Sequence, residues 1–259
     1  MNDALVTALE ERGPAFSALV LADMYQDPFW LERFGERGRR YAAEDSTHHV
    51  RYLVQALVAG DTGVLERYAR WLRTVLVARG MCSRHLDEHF ERLGVVLASA
   101  LPGAERAVAY LERARAALHS EDGPARELEA AAPALLDAAV DDLLEHEPSG
   151  ASVWGERGRA ARREQLRYRL SYLCDAAAFG RPELFSEYVG FLVAAACRRG
   201  RSAAAVHAEI NALARAVGRA PELLAETRAR AGELLSAALA ELEKRAAESA
   251  LRTAEGATS

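Results

Sequence analysis

The chain has 259 residues, 33 Lys+Arg against 38 Asp+Glu, a formal net charge of −5 and 50% hydrophobic residues. That mixture belongs to a globular chain, and it offers no basic excess for general nucleic-acid binding. No unbroken apolar run approaches the roughly 18 residues of a membrane helix. Met1-Asn2-Asp3-Ala4 lacks the basic-then-apolar pattern of a secretory signal.

The three cysteines, Cys82, Cys174 and Cys197, are too few and too odd in number for a disulfide scaffold, so a reducing cytoplasm is expected. Ala, Leu, Arg and Glu dominate, while Gly (18) and Pro (8) are sparse. All four dominant residues are strong helix formers, and no segment alternates apolar and polar like a strand. The expected fold class is all-α.

In chain order, helices are expected near residues 3–24, 28–43, 46–59, 62–79, 83–100 and 103–119. A second set follows near 124–146, 152–163, 164–179, 182–199, 202–217 and 221–248. Gly60-Asp61-Thr62 reads as a stop followed by a cap, and Gly180-Arg181-Pro182 puts proline at the first helical position. Arg79-Gly80 and Arg199-Gly200 supply a basic last turn and a terminating glycine. Ser83 and Ser202 stand where the following helices need caps. One face between Thr62 and Arg79 carries Leu65, Tyr68, Ala69, Leu72 and Leu76. The later helix carries Phe185, Tyr188, Val189, Leu192 and Ala196. Cys174 and Cys197 read as small core residues.

The two sets repeat at an offset of 120. Gly35-Glu-Arg-Gly-Arg39 recurs as Gly155-Glu-Arg-Gly-Arg159, Tyr52-Leu53 as Tyr172-Leu173, and Tyr68 and Leu72 as Tyr188 and Leu192. Residues 34–93 align with 154–213 without a gap and share 15 identities in 60. Chance in so Ala- and Arg-rich a chain gives roughly five or six, so this is self-similarity, with a unit too long for a solenoid repeat. The expected architecture is two units of about six helices each, related by a pseudo-twofold axis. Residues 1–120 form the first, 121–250 the second, and 251–259 a flexible tail.

Three groups of residues are candidates for function. The first is the duplicated glycine segment. Gly35 and Gly38, like Gly155 and Gly158, share a helix face and suit a close helix crossing braced by Glu36–Arg39 and Glu156–Arg159 pairs. The alternative is an anion site using Arg37 and Arg157. The segment is not a phosphate loop, because it lacks the lysine and the preceding strand.

The second group is Cys82-x2-His85-x3-His89, with His48 and His49 on a neighbouring helix. Those donors suit Zn²⁺ or haem iron. Their counterparts 120 residues later are Ser202, Ala205, Glu209, Tyr168 and Arg169, so any such site belongs to the first unit only.

The third group is the recurring tyrosines Tyr52, Tyr68, Tyr172 and Tyr188. They fit core packing, or a pocket lined by Tyr and Arg. Trp71 and Phe191 lie off the apolar face and suit a second surface.

The leading expectation is a non-enzymatic binding or sensory protein without a cofactor. It would recognise a small molecule or protein partner in a helical pocket or at the junction of the repeats. The alternatives are a metal- or haem-dependent protein built on the first-unit histidines, and a structural or assembly subunit. A homo-oligomer is compatible with all three, and neither general nucleic-acid binding nor a membrane is expected.

Overall fold

A computed structural model describes residues 4–146, 148–200 and 202–256, with side chains excepted at 148–154 and 245–256. The fold is all-α. Ten helices are formed, with no strand among the described residues. They are α1 (Ala4–Met24), α2 (Pro28–Ala59), α3 (Thr62–Ala78), α4 (Ser83–Ala100) and α5 (Glu105–Ala116). After these come α6 (Gly123–His146), α7 (Pro148–Ala178), α8 (Pro182–Arg198), α9 (Ala204–Arg219) and α10 (Ala225–Gly256). The backbone divides into two compact units. One comprises Met1–Arg79 and Ser83–His119, the other Gly80–Cys82 and Ser120–Ser259. No helix among the described residues is long and apolar enough to cross a membrane. Of the expected tail, residues 251–256 continue α10, and 257–259 lie outside the described residues.

In the first unit α1 lies against α2 and α4, and α3 against α2 and α5. Leu9, Phe16, Leu53, Leu65, Phe90, Leu93 and Leu111 fill the space between them. In the second unit α6 lies against α7 and α9, and α10 against α8 and α9. Its core is built on Leu128, Leu135, Leu173, Phe185, Leu213 and Leu235. The first helix of each unit thus packs on the second and the fourth.

The helix ends follow the local chemistry. The Asp27 carboxylate accepts from the Phe29 N–H ahead of α2, with Pro28 at the first position. Asp61 does the same for Gly63 ahead of α3. Gly60 ends α2 in the left-handed region, where a Cβ is costly.

The expected breaks near 44 and 163 are absent. Thr47 Oγ1 donates back to the Ala43 carbonyl and Ser46 bonds sideways to His89, so neither caps a new helix. The discontinuities fall instead at Gly35 (φ 64°, ψ −173°) in α2 and Gly155 (φ 48°, ψ −165°) in α7. That backbone region is essentially reserved for glycine. A Cβ at either position meets nothing within 4 Å, so close helix approach is not what requires the glycines. Gly38 has a different reason, since a Cβ there would run into the Cβ of Phe34 across the bend.

Two expected core positions move outward. Leu192 and Ala196 are only partly buried, because α8 turns Leu184, Phe185, Tyr188 and Val189 inward. Cys174 is buried, but Cys197 is exposed.

Candidate functional site

The first unit buries a chain of polar side chains among α1, α2, α3 and α4. Ser17 Oγ donates to the Ser46 carbonyl at 3.1 Å. Ser46 Oγ meets His89 Nε2 at 3.2 Å. The His89 and His49 rings stand edge to face, 4.5 Å apart. His49 Nδ1 meets the Tyr68 hydroxyl at 2.7 Å, and Tyr68 stacks on Tyr52 at 3.8 Å. Burial without a counter-charge holds the His49 ring well below its usual pKa, with His89 and His48 adding to the effect. Burial, then the Arg92 charge, pushes His89 down to about 3. Both imidazoles are therefore neutral at physiological pH. Burial also raises the Tyr68 hydroxyl, with Asp45 and Tyr52 reinforcing it.

The second unit treats the same positions differently. Tyr172 stacks on Tyr188 at 3.7 Å, and its hydroxyl donates to the Gly80 carbonyl at 3.2 Å. At 49+120 and 89+120 stand Arg169 and Glu209, which form a buried ion pair. Arg162 joins it, Nη1 to Glu209 Oε1 at 2.7 Å. Arg169 Nη1 also donates to the Gln165 carbonyl at 2.7 Å. Sequence comparison treats Arg169 and Glu209 as mere departures from the histidines. In space they form a buried cross-helix pair of their own.

The five residues proposed for a metal are not brought to one place. His85 sits among aromatic rings, 4.8 Å from Trp30, 5.4 Å from Phe29 and 6.4 Å from Phe34. Burial, with the Arg33 and Arg84 charges, pushes it down to about 3. His48 is exposed. Cys82 is buried in the Gly80–Cys82 segment that groups with the second unit. Only His49 and His89 meet. Among the described residues no three His, Cys, Asp or Glu side chains form a metal-holding group.

The repeated basic segment differs in its contacts between the two units. Arg37 and Arg157 are both exposed. In the first unit the Arg37 and Arg40 guanidinium groups lie 5.5 and 5.6 Å from the centre of the Tyr41 ring, and Arg39 lies 5.5 Å from that of Tyr25. Arg37 also donates to the Tyr41 hydroxyl at 3.3 Å, which lowers the phenol pKa. Arg37, Arg39 and Arg40 hold no carboxylate among the described residues. The expected Glu36–Arg39 and Glu156–Arg159 pairs are not made. Arg39 takes the Tyr25 ring, and Arg159 takes Asp141 on α6. Arg163 likewise pairs with Asp137 at 2.7 Å. Tyr41 and Tyr25 are not among the residues expected at a site. The available signal was the Arg37-x3-Tyr41 spacing, one helical turn.

A second surface feature also belongs to the first unit. A groove of about 530 Å³ runs between α1 and α4, with Leu19, Val20, Val95 and Val96 on its walls and Asp23, Glu88 and Glu91 among its charged residues. Six of the seven large apolar side chains exposed among the described residues lie in this unit: Leu19, Leu31, Tyr41, Val58, Trp71 and Val95. Leu224 alone lies in the other. No family model, curated protein or solved structure matches the chain.

Proposed function

We propose that the chain is a non-enzymatic binding protein made of a duplicated helical unit of about 120 residues, and that its first unit recognises an acidic protein surface. The observation that carries this reading is the Arg37, Arg39 and Arg40 trio. These guanidinium groups lie against tyrosine rings and hold no carboxylate among the described residues, so the donors not directed at the Tyr41 hydroxyl remain for a partner. At the corresponding positions of the second unit Arg159 is neutralised by Asp141 and alanine stands at 160, and the nearby Arg162 and Arg163 are held by Glu209 and Asp137, so the trio is not repeated. The apolar side chains left exposed around the first unit also suit a protein partner better than a small solute. In this reading Tyr52, Tyr68, Tyr172 and Tyr188 are core stacks rather than ligand contacts. Cys82, Cys174 and Cys197 form no disulfide, which suits a reducing compartment.

The test is binding of fluorescent poly-glutamate, read by anisotropy across a salt series. Wild type is expected to bind with affinity that falls as salt rises. The triple variant Arg37→Gln/Arg39→Gln/Arg40→Gln is expected to lose binding, and Arg157→Gln to keep it. A triple variant that binds like wild type removes the proposal.

The 4.5 Å approach of His49 and His89 favours a second reading, a first-unit metal site reduced to these two imidazoles. Equilibrium dialysis against Zn²⁺ tests it, with loss of stoichiometric binding expected in His89→Ala. Wild type that retains no Zn²⁺ ends this reading.

A further inference from the structure

We infer that the acidic partner of the Arg37–Tyr41 surface is a second copy of this chain, which seats that surface in the α1/α4 groove of its mate. This rests on the reading of the arginine face given above and adds the identity of what it meets.

The groove and the arginine face are complementary in charge and in shape of polarity. The groove walls carry Leu19 and Val95, which are 56% and 66% exposed, unusual values for large aliphatic residues facing each other across a cleft. Its most exposed charges are Asp23 and Glu91, with side chains 59% and 48% accessible. The two arginines that line it are less exposed and already engaged. Arg84 pairs with Asp87 at 2.8 Å and Glu88 at 3.0 Å, and Arg92 with Asp23 at 2.9 Å and Glu88 at 3.2 Å. Asp23 is itself the partner of Arg92, and Glu91 lies 3.6 Å from Arg115, but three lining carboxylates against two lining arginines leave the apolar walls with a net negative rim whose acids are its more exposed charges. The α2 surface is the converse, with the partly exposed Tyr41 ring flanked by Arg37 and Arg40.

The two surfaces are neighbours on one unit. Asp23 belongs to the groove and Tyr25, which carries Arg39, lies two residues further along the chain. Adjacent complementary patches let two copies satisfy each other twice about a twofold axis, each giving an arginine face and receiving one. Arginine facing aspartate and glutamate across such a contact sets orientation and encounter rate, while Leu19, Val95 and Tyr41 supply the area withdrawn from water.

Sedimentation velocity over a concentration series tests this. Wild type is expected to dimerise at low salt and to dissociate as salt rises. Arg37→Glu/Arg40→Glu and Asp23→Arg/Glu91→Arg are each expected to be monomeric alone and to recover a dimer when mixed. Should the second variant fail a circular-dichroism check of folding, Val95→Arg replaces it, since that side chain is mostly exposed, and it too should be monomeric. Wild type that stays monomeric throughout overturns the inference, as does dimerisation of both charge-reversed variants alone. If wild type is monomeric yet still binds poly-glutamate, only the second-copy partner falls. If it does neither, the acidic-partner reading falls with it.

Discussion

The first unit buries two neutral imidazoles between α2 and α4, and the second buries an arginine and a glutamate between α7 and α9. Both pairs lie beside a stacked tyrosine pair, Tyr52/Tyr68 in one and Tyr172/Tyr188 in the other. Each unit thus carries a polar contact across these helices, and the chemistry differs between them. A neutral pair costs little to desolvate and answers to pH. A charged pair costs much to desolvate, and each partner depends on the other. A narrower contrast holds in the segment after each bend, where Arg39 lies on the Tyr25 ring and its counterpart Arg159 on the Asp141 carboxylate.

The sharpest way to break the comparison is to remove one member of each pair. Arg169→Ala strands the Glu209 carboxylate in a buried site, although Arg162 still reaches it, and is expected to cost about 3–5 kcal/mol. His89→Ala leaves only neutral groups behind and is expected to cost about 1–3 kcal/mol. Urea unfolding followed by hydrogen exchange on α9 and α4 amides measures both. Equal losses would mean that the charge of the second pair carries no special weight. The swap His49→Arg/His89→Glu sharpens the point further, since a shared scaffold should accept it better than either single change.

The tyrosine-bearing helices α3 and α8 give the next contrast. Leu72 is 2% exposed, whereas its counterpart Leu192 is only partly buried. Leu72→Ala is expected to cost about 2–5 kcal/mol in a thermal or urea melt, and Leu192→Ala clearly less. Matching losses would show that the rotation of α8 is not what sets the value of this position.

Leu192 also marks the limit of what periodicity reveals. Spacing placed it on the inner face because Phe185, Tyr188 and Val189 define that face, and it did so correctly for those three. How far α8 turns against α7 and α10 depends on residues distant in sequence. The all-α class and most helix ends are legible because caps and breakers act locally, as Gly60 and Asp61 show. The break at Gly35 was misplaced because glycine three residues from glycine also describes a helix crossing. Only the backbone angles separate the two. The pairing of His49 with His89, and the departure of His85 into an aromatic nest, arise from cross-helix packing that a helical wheel does not encode.

The buried histidines predict a pH window. A histidine whose folded pKa is depressed is protonated more readily in the unfolded chain, which therefore binds more protons between the two pKa values. Stability contributed by the folded state falls as pH drops below about 6.5 and continues to fall to about 3. At pH 5 the loss is about 2 kcal/mol for each of His85 and His89, with His49 acting in the same direction. The facing groups do not offset this in that range. Arg33, Arg84 and Arg92 oppose imidazolium formation, and His48 adds to the repulsion at His49. Asp45 is raised by burial, so its own protonation assists folding on acidification, but only in the carboxylate range. The second unit relies on Asp142, which the Arg215 hydrogen bond holds below the usual carboxylate value, so its contribution persists until pH falls through that lower value. Hydrogen exchange at pH 5 is expected to show α2 and α4 amides losing protection before α7 and α9. Simultaneous loss would refute the claim that the two pairs respond differently.

The smallest expected effect concerns the one feature the units share most closely. Gly35 and Gly155 adopt positive φ with extended ψ, and neither Cβ position is crowded. Any penalty on adding a methyl group is therefore a backbone penalty rather than a packing one. Gly35→Ala is expected to cost about 1–3 kcal/mol, and Gly155→Ala a similar amount, because an L-residue pays to occupy this region irrespective of its neighbours. A larger side chain should add little, so Gly35→Leu is expected to melt near Gly35→Ala, where overpacking would have made it much worse. A D-alanine at position 35, introduced by ligation of a synthetic N-terminal segment, supplies the decisive comparison. For a D-residue these angles mirror the ordinary polyproline region, so the methyl group is carried without strain. Recovery of wild-type stability by D-alanine and not by L-alanine would fix the role of the duplicated glycine as a bend in the backbone. Equal destabilisation by both would place an unseen steric neighbour at the bend instead.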